Sequence, residues 1–164
     1  MILRYPDPRL RKVSTPVTTV TPGVLLRAQQ LTAELAESRG IGLAAPQIGW
    51  SARVIAVNVT RKPEDLLVVL NPTIFSRTGG SCVEVEACLS LPGITGKVKR
   101  SKGIVVHGQT LDGDPVEFAC SGLAARCIAH EIDHLNGILF IDRLSPTRKQ
   151  TIKRKLRKLG GSPK

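Results

Sequence analysis

The sequence predicts an α+β fold with a mainly antiparallel β-sheet. Three helix-like segments stand among strand-like segments, without the regular strand–helix alternation that is typical of parallel α/β proteins. The turn residues Asp112-Gly113-Asp114-Pro115 join two apolar segments and indicate a β-hairpin. The chain has 164 residues, 41% of them hydrophobic, and no repeat or linker divides it, so we expect one domain with a substantial core.

The first helix is predicted to begin at Thr21-Pro22, after an irregular start. Threonine is a good N-cap residue, and proline suits the first helical position. Apolar residues from Val24 to Ala36 keep helical spacing, and Gly40 ends the helix. An apolar loop punctuated by glycine then covers residues 40–49.

Six strand-like segments follow, at residues 54–59, 66–70, 73–75, 81–89, 104–111 and 116–119. Thr78-Gly79-Gly80 is predicted to be a turn. Segment 81–89 alternates, so that one face carries Val83, Val85, Ala87 and Leu89 and the other carries Cys82, Glu84, Glu86 and Cys88.

Two more helices complete the predicted elements. Ser121 is the expected N-cap of a helix over residues 122–136, which Gly137 closes. Ser145-Pro146 begins a last helix that reaches about Leu159 and ends before Gly160-Gly161.

The positive charge is concentrated at one end of the chain. The net charge is +11, and the segment from Arg143 onward holds nine Lys and Arg residues and no acidic residue, which leaves 15 basic and 13 acidic residues elsewhere. This pattern indicates a localised contact with an anionic partner rather than a nucleic-acid surface over the whole domain.

Composition also bears on the compartment. No apolar run approaches the roughly 18 residues of a membrane-spanning helix, and the first residues lack the pattern of a signal peptide. The cysteines at 82, 88, 120 and 127 do not form the dense pattern of a disulfide scaffold. We therefore expect reduced thiols and a cytoplasmic protein without membrane contact, with an organelle matrix as the alternative compartment.

The segment His130-Glu131-Ile132-Asp133-His134 fits the pattern H-E-x-x-H. Two histidines four residues apart lie on one face of a helix, about 6 Å apart along its axis, so both imidazoles can bind one metal ion. Glu131 can then accept a proton from water at that metal. The motif holds two of only three histidines in the chain, which favours a metal site over a helix with two polar residues on one edge.

A catalytic metal site of this kind usually needs a third protein ligand. Cys127 lies on the same helix face, but about 10.5 Å separates it from His134 along the axis, which is too far for a shared ion. His107 and Cys120 are better explained as sheet and core residues. Cys88, on the polar side of its strand and just before Pro92-Gly93, is the stronger candidate, although spacing alone leaves Cys82 open.

The loop at residues 40–49 admits three interpretations. Gly40-x-Gly42-x-x-Ala45 formally fits a dinucleotide-binding fingerprint, but that motif needs a strand before it and a helix after it, whereas here a helix precedes and Pro46 interrupts. The second interpretation is a helix C-cap followed by a buried turn, and the third is a glycine-rich wall along which a peptide backbone can lie. Gln47, a polar residue in an apolar segment, could there donate to a developing oxyanion.

Three segments together resemble the peptide deformylase family, whose motifs are G-x-G-L-A-A-x-Q, E-G-C-L-S and H-E-x-D-H. They stand here in the same order as Gly40-Ile41-Gly42-Leu43-Ala44-Ala45-Pro46-Gln47, Glu86-Ala87-Cys88-Leu89-Ser90 and His130-Glu131-Ile132-Asp133-His134. The resemblance extends from Pro6 to Ser145. It implies an α+β fold with antiparallel sheets around the metal-binding helix, and removal of the formyl group from N-formylmethionine at the start of nascent peptides.

The resemblance also implies a role for each matching residue. Cys88, His130 and His134 match the metal ligands, Glu131 the catalytic acid and base, and Gln47 with the backbone N–H of Leu89 the oxyanion donors. Ile41 and Gly42 match the residues that pair with the substrate backbone. The implied metal is one divalent ion, Fe²⁺ first, with Zn²⁺, Ni²⁺ or Co²⁺ able to substitute.

The resemblance further divides the chain into a catalytic part, residues 1–145, and a basic helix and tail, residues 146–164, of the same domain. The basic helix is either a solvated surface or a contact with the ribosome, and the protein is expected to be monomeric. Ala87 replaces the usual glycine of the middle motif, so substrate fit and rate are the properties that its methyl group could change. The competing hypotheses are a zinc peptidase that shares only H-E-x-x-H, and a ribosome- or RNA-binding protein with a structural metal.

Overall fold

The structure is a computed structural model, and it describes residues 1–158. Three α-helices are present in this range: α1 (Pro22–Glu37), α2 (Gly122–Leu135) and α3 (Pro146–Lys158). One antiparallel sheet has the strand order β1-β2-β3-β4-β5, formed by β1 (Gly42–Ala44), β2 (Val54–Val57), β3 (Leu67–Ala87), β4 (Thr95–Gln109) and β5 (Pro115–Ser121). The predicted α+β class is therefore confirmed.

The sheet separates two of the helices. In β2, Ile55 and Val57 pack into a core with α2, while Val54 and Ala56 pack into a second core with α1. Successive strand residues point to opposite faces, so α1 and α2 cover opposite faces of the sheet. This explains why all four residues of β2 are buried and apolar.

A third core fixes α3 to the rest of the chain. Ile152 and Leu156, one turn apart, are buried among Phe140, Ile141 and Leu144. Lys155 Nζ also donates to the Gly93 carbonyl at 2.9 Å. Ile152 and Leu156 are the apolar residues of α3 in this core, whereas Leu159, at the predicted end of the helix, lies outside the described residues.

At two of the three predicted helix starts, a side chain accepts a hydrogen bond from the first turn of the helix. The Thr21 side chain accepts from the Val24 N–H, and the Ser145 hydroxyl accepts from the Arg148 N–H. Ser121 occupies the predicted N-cap position of α2, where it also ends β5 and pairs with Gly103, but its side chain makes no capping hydrogen bond. That part of the prediction was wrong.

The structure has fewer and longer strands than the sequence predicts. Segments 66–70, 73–75 and 81–89 become the single strand β3, and the predicted turn at Thr78-Gly79-Gly80 is an irregularity within it. Gly79 and Gly80 both have positive φ, 70° and 71°, which lets β3 accommodate extra residues opposite a continuous β4. The first half of β4 and the short strand β1 were not predicted. No helix within residues 1–158 is both long and apolar enough to span a membrane.

Candidate metal centre and adjoining groove

Helix α2 and the end of β3 bring three side chains together that could bind a metal ion. The rings of His130 and His134 lie on one helix face with centroids 5.0 Å apart. Cys88 follows the last residue of β3, and its Sγ lies 3.2 Å from His134 Nε2. All three ligand atoms lie within 4.8 Å of one another. A tetrahedral ion with bonds near 2.0–2.3 Å holds its ligand atoms roughly 3.5 Å apart, so this spacing fits a metal.

The other candidate ligands are placed elsewhere. Cys82 Sγ lies 3.4 Å from Nη2 of Arg126, and Cys127 Sγ contacts the Ile41 carbonyl at 3.5 Å. His107 stacks on Phe75 on the sheet surface, with ring centroids 4.2 Å apart. Cys120 packs at the edge of the core between α2 and the sheet. Within residues 1–158, only the Cys88 group brings three His, Cys, Asp or Glu ligand atoms this close.

Glu86 holds His130 from the side away from the metal position. Its Oε2 lies 2.9 Å from His130 Nδ1, which leaves Nε2 available as a ligand atom. Burial alone would raise the pKa of Glu86, but hydrogen bonds from Arg100 and His130 outweigh burial and lower the pKa to about 2. Glu86 is therefore an anion that fixes the ring orientation and tautomer of His130.

Two arginines neutralise Glu86 and connect it to a second carboxylate. Arg126 Nη1 donates to Glu86 at 2.7 Å, and Arg100 donates through Nε and Nη2 at 2.5 and 2.8 Å. The remaining Nη1 of Arg100 donates to Asp133 at 2.9 Å. Asp133 also accepts two hydrogen bonds from Arg143. Buried charges are tolerated when they are paired and hydrogen-bonded in this way.

The two histidines differ in their affinity for protons. Burial would lower the pKa of His130, but hydrogen bonds with Cys88 and Glu86 raise it to about 10. Burial holds the pKa of His134 well below its usual range. A metal ion at Nε2 of His130 would take the place of a proton, so metal uptake here should release protons.

Glu131 lies next to His130 in α2, beside the three candidate ligands. It is buried, its Oε2 has no hydrogen-bond partner among residues 1–158, and burial raises its pKa to about 7. A buried carboxylate oxygen without a partner is uncommon and indicates a missing solvent or ligand contact. A pKa near neutrality suits a group that both accepts and returns a proton.

Gly42 allows the strand β1 to approach this carboxylate. A Cβ atom at position 42 would lie 2.5 Å from both Glu131 Oε1 and Cys127 Sγ. Side chains essentially never approach so closely, so glycine is required here by the contact between β1 and α2.

Gln47 is fixed in one orientation within the 3-10 helix Ala45–Ile48. Its Oε1 accepts from the Ala44 N–H at 2.8 Å, so its amide nitrogen must point the other way. That Nε2 lies 3.1 Å from Ser90 Oγ and 3.6 Å from Cys88 Sγ. The N-terminal segment ties both loops together, because Leu3 N–H donates to Gln47 and Tyr5 N–H to Ser90.

These side chains border a groove of about 510 Å³. Seven of the eight predicted site residues line it, namely Ile41, Gly42, Gln47, Cys88, Leu89, His130 and Glu131. The eighth, His134, lies in the metal group behind it. The Leu89 N–H has no protein acceptor among residues 1–158, and Leu89 follows the end of β3.

Sequence reasoning missed the residues that support the ligands. Glu86 was noticed only as a neighbour of Cys88, and Arg100, Arg126 and Ser90 had no predicted role. The spacing of Glu86, two residues before Cys88 on the same strand face, was the available signal. Arg100 gave no signal, because the first half of β4 was not predicted.

Comparison with known proteins agrees with this geometry. The family model of polypeptide deformylase matches residues 1–150. The peptide deformylase of Chromobacterium violaceum is 40% identical over 157 residues, which cover 96% of this chain and 93% of the relative. "Peptide deformylase 2" of Nitrosomonas europaea is also 40% identical, over 96% of this chain and 84% of the relative.

Solved structures extend the likeness to the whole fold. A peptide deformylase from Legionella pneumophila has a TM-score of 0.91 and 39% identity, over 98% of this chain and 94% of that one. A peptide deformylase from Plasmodium falciparum has a TM-score of 0.91 and 35% identity, over 97% and 94% of the two chains. These findings support the deformylase hypothesis and not the zinc peptidase or RNA-binding alternatives. The chain belongs to the polypeptide deformylase family, a family of enzymes.

Proposed function

We propose that the enzyme removes the formyl group from N-formylmethionine at the N-terminus of nascent polypeptides, with one divalent metal ion held by Cys88, His130 and His134. The observation that carries this proposal is the cluster of these three ligand atoms within 4.8 Å, beside the unpartnered Glu131 oxygen. One thiolate and two imidazoles form a donor set that suits Fe²⁺, our first choice, and also Zn²⁺, Ni²⁺ or Co²⁺.

When bound, the metal acts as a Lewis acid that lowers the pKa of water and polarises the formyl carbonyl. Glu131 accepts the proton of the attacking water through Oε2 and later delivers it to the departing amine. Because its carboxyl group is buried and its pKa lies near 7, Glu131 can hold the proton between these two steps.

Two donors stabilise the negative charge that develops on the formyl oxygen. The amide nitrogen of Gln47 is turned toward the metal group by the Ala44 hydrogen bond, and the Leu89 N–H adjoins Cys88. A preorganised donor of this kind contributes roughly 3–4 kcal/mol to transition-state stabilisation in other acyl-transfer enzymes.

The substrate backbone pairs with Ile41 and Gly42 in an extended conformation. β1 is the outer strand of the sheet and pairs only with β2 among residues 1–158, so one of its edges can accept a peptide. This arrangement directs the N-terminus of the peptide toward Glu131, because Gly42 lies directly against that side chain.

Formate release from a formyl-Met peptide, measured with anaerobically purified protein of known metal content, tests the proposal. We expect release of formate, no cleavage of an acetyl-Met peptide or of internal peptide bonds, and one metal ion per chain. Cleavage of internal bonds without formate release would instead establish the peptidase hypothesis.

Replacement of Cys88 provides the matching structural test. Cys88→Ala should lose the metal, whereas the control Cys82→Ala should retain it, because Cys82 contacts Arg126 and not the histidines. Stoichiometric metal in Cys88→Ala would remove Cys88 from the ligand set.

We propose further that residues 1–145 form the catalytic part and residues 146–164 a basic helix and tail of the same domain, which acts as a monomer in the cytoplasm. The burial of Ile152 and Leu156 against Leu144 supports the single domain, and a site made entirely from one chain supports the monomer. The cytoplasmic location rests on the proposed nascent-chain substrate.

The ribosome is the proposed partner of α3. Its apolar side is buried, while Arg148, Arg154 and Lys155 remain exposed and could contact RNA phosphates. Replacement of Arg148 and Arg154 by Gln should weaken co-sedimentation with ribosomes and reduce its salt dependence. This variant keeps Ile152 and Leu156, whose deletion would disturb the core. Unchanged co-sedimentation would refute this contact.

A further inference from the structure

Arg61, in the loop between β2 and β3, contacts the segment that leads into β1. Its Nη2 donates to the Ser38 carbonyl at 3.1 Å and to the Gly40 carbonyl at 3.5 Å. Ser38 is the C-cap residue of α1, and its hydroxyl accepts from the Gly40 N–H at 3.0 Å. Gly40 lines the groove at the metal group, whereas Arg61 does not. Both backbone groups of Gly40 are therefore held from outside the groove.

The backbone of Arg61 has an uncommon conformation. Its φ is 64°, and among the described residues other than glycine only Asn71 also has a positive φ. Asparagine adopts this conformation comparatively easily, whereas arginine does so rarely. Strained residues of this kind persist where the surrounding structure fixes them, and they are frequent near ligand sites. The conformation of Arg61 therefore calls for a functional explanation.

Hydrogen bonds within the same loop hold Arg61 in this conformation. The Asn58 side chain donates to the Lys62 carbonyl at 2.9 Å. The Thr60 hydroxyl accepts from the Lys62 N–H at 3.2 Å. The Asn58 N–H also donates to the Ile41 carbonyl at 2.8 Å, which joins the loop to the residue after Gly40. The position of the loop relative to this side of the groove is thus fixed.

Gly40 also contacts the other segment that borders the groove. Residues 39–42 line one part of the groove and residues 85–89 line another. A Cβ atom at position 40 would lie 2.8 Å from Leu89 Cδ1, so the two segments touch at Gly40. A displacement of Gly40 would therefore change the width of the groove in which the peptide backbone is proposed to lie.

We propose that Arg61 is a positioning residue, which holds the groove wall formed by residues 40–42 in place for the formyl peptide. It acts through the Ser38 and Gly40 carbonyls and does not touch the substrate. This inference rests on the proposed deformylase function, because it concerns the binding of that substrate. Glu131 and the two histidines belong to α2, so loss of Arg61 should weaken substrate binding more than the chemical step.

Steady-state formate release from a formyl-Met tripeptide by the metal-loaded enzyme tests the inference. Arg61→Gly removes the side chain and accepts a positive φ without strain, whereas Arg61→Ala removes the side chain and keeps the strain. Both variants should raise KM at least fivefold and leave kcat within twofold, which is the pattern of weakened substrate binding. A raised KM in Arg61→Ala alone would assign the effect to the loop backbone and contradict the inference.

Two further variants separate the position of the charge from its presence. Arg61→Lys keeps a donor for the same carbonyls, so its KM should stay within threefold of the unaltered enzyme. Lys62→Ala removes a neighbouring exposed charge that donates to neither carbonyl, and it should change neither KM nor kcat. The inference is wrong if Arg61→Lys or Lys62→Ala raises KM as much as Arg61→Gly.

Hydrogen exchange measures the same effect without reference to activity. In the metal-loaded protein, the amides of residues 40–44 should exchange at least threefold faster in Arg61→Gly than in the unaltered protein or in Lys62→Ala. If the unaltered enzyme released no formate, the proposed function would fail, and exchange would still decide whether Arg61 holds this segment. Unchanged exchange, or an unchanged KM in an active Arg61→Gly variant, would overturn the inference.

Discussion

Ala87 is the residue at which the chain departs from the usual deformylase motif, and its environment tolerates a side chain. It is the last residue of β3 and is exposed. Among the described residues other than glycine, positive φ occurs only at Arg61 and Asn71, so Ala87 does not need the conformational freedom of glycine. Ala87 is one of the residues that line the groove.

Ala87→Gly should therefore change the enzyme little. We expect formate release within threefold of the unaltered enzyme. A loss of about 0.5–1 kcal/mol in unfolding free energy should follow, because glycine is less favourable in a strand. Steady-state kinetics and thermal unfolding measure both. A tenfold faster variant would show that the methyl group restricts the substrate.

Gly42 should be far less tolerant than Ala87. A methyl group at position 42 would lie 2.5 Å from Glu131 Oε1, so Gly42→Ala should displace this carboxylate and lower formate release at least tenfold. The metal should remain bound, because the three atoms nearest to an added Cβ belong to Cys127 and Glu131 and not to a proposed metal ligand. Metal analysis beside the kinetic assay separates these effects.

Gly23→Ala is the matched control. Position 23 lies in α1, and the nearest atom to an added Cβ is 3.7 Å away, so activity should be unchanged. Gly42→Ala with normal formate release would show that Glu131 can move without loss of function.

Near the end of β3, the usual pattern of a strand is reversed: apolar side chains are exposed and a charged side chain is buried. Val83 and Val85 are 57% and 61% exposed, while Glu86 is buried. The alternation was visible in the sequence, and it correctly grouped Glu86 with Cys88 on one face. The buried side was not evident, because Glu86 is stabilised by Arg100 and Arg126, which come from two other elements.

Glu86→Gln should weaken both the metal site and the fold. Loss of an anion behind a metal-binding histidine typically costs 10–100-fold in metal affinity. Breaking the buried pairs with Arg100 and Arg126 should lower the unfolding free energy of the metal-free protein by about 3–5 kcal/mol. Chelator competition and denaturant unfolding measure these quantities.

Glu84→Gln is the control, because Glu84 also pairs with Arg126, at 3.2 Å, but its side chain is 58% exposed. Exposed pairs contribute about 0–1 kcal/mol. If both variants lost the same stability, burial of Glu86 would not be the cause.

The buried carboxylate of Glu86 should make the stability of the metal-free protein sensitive to acid. Its folded pKa is lowered from 4.5 to about 2, so its ionised form stabilises the fold fully above pH 4.5 and this contribution is lost as the pH falls toward 2. The stability difference between the unaltered protein and Glu86→Gln should shrink over this interval. A stability difference between the two proteins that stays constant as the pH falls from 4.5 to 2 would contradict the lowered pKa of Glu86.

At the scale of the whole molecule, three distant segments meet at one place. The sequence predicted the three helices and the metal-binding motif, since helix caps and hydrophobic spacing are local signals. It did not predict the joining of three segments into β3, because Gly79 and Gly80 indicate a turn unless the partner strand is known. The first half of β4 was not predicted, because the charged Arg100 stands at an inward position.

The site was also predictable only in part, because some of its residues are positioned by strand pairing that local sequence patterns do not reveal. Residue spacing excluded Cys127 but left Cys82 and Cys88 open, and family resemblance then favoured Cys88. The inward position of Glu86 depends on pairing between Glu86 and Gly96 across two strands, which local patterns do not reveal.

The most direct test of the proposed mechanism is the paired measurement of metal content and formate release in Glu131→Gln. Gln preserves the shape of the side chain but cannot accept and return the proton. The variant should bind one metal ion per chain and release formate about 10²–10⁴-fold more slowly. Formate release near the normal rate, with metal bound, would contradict the role of Glu131.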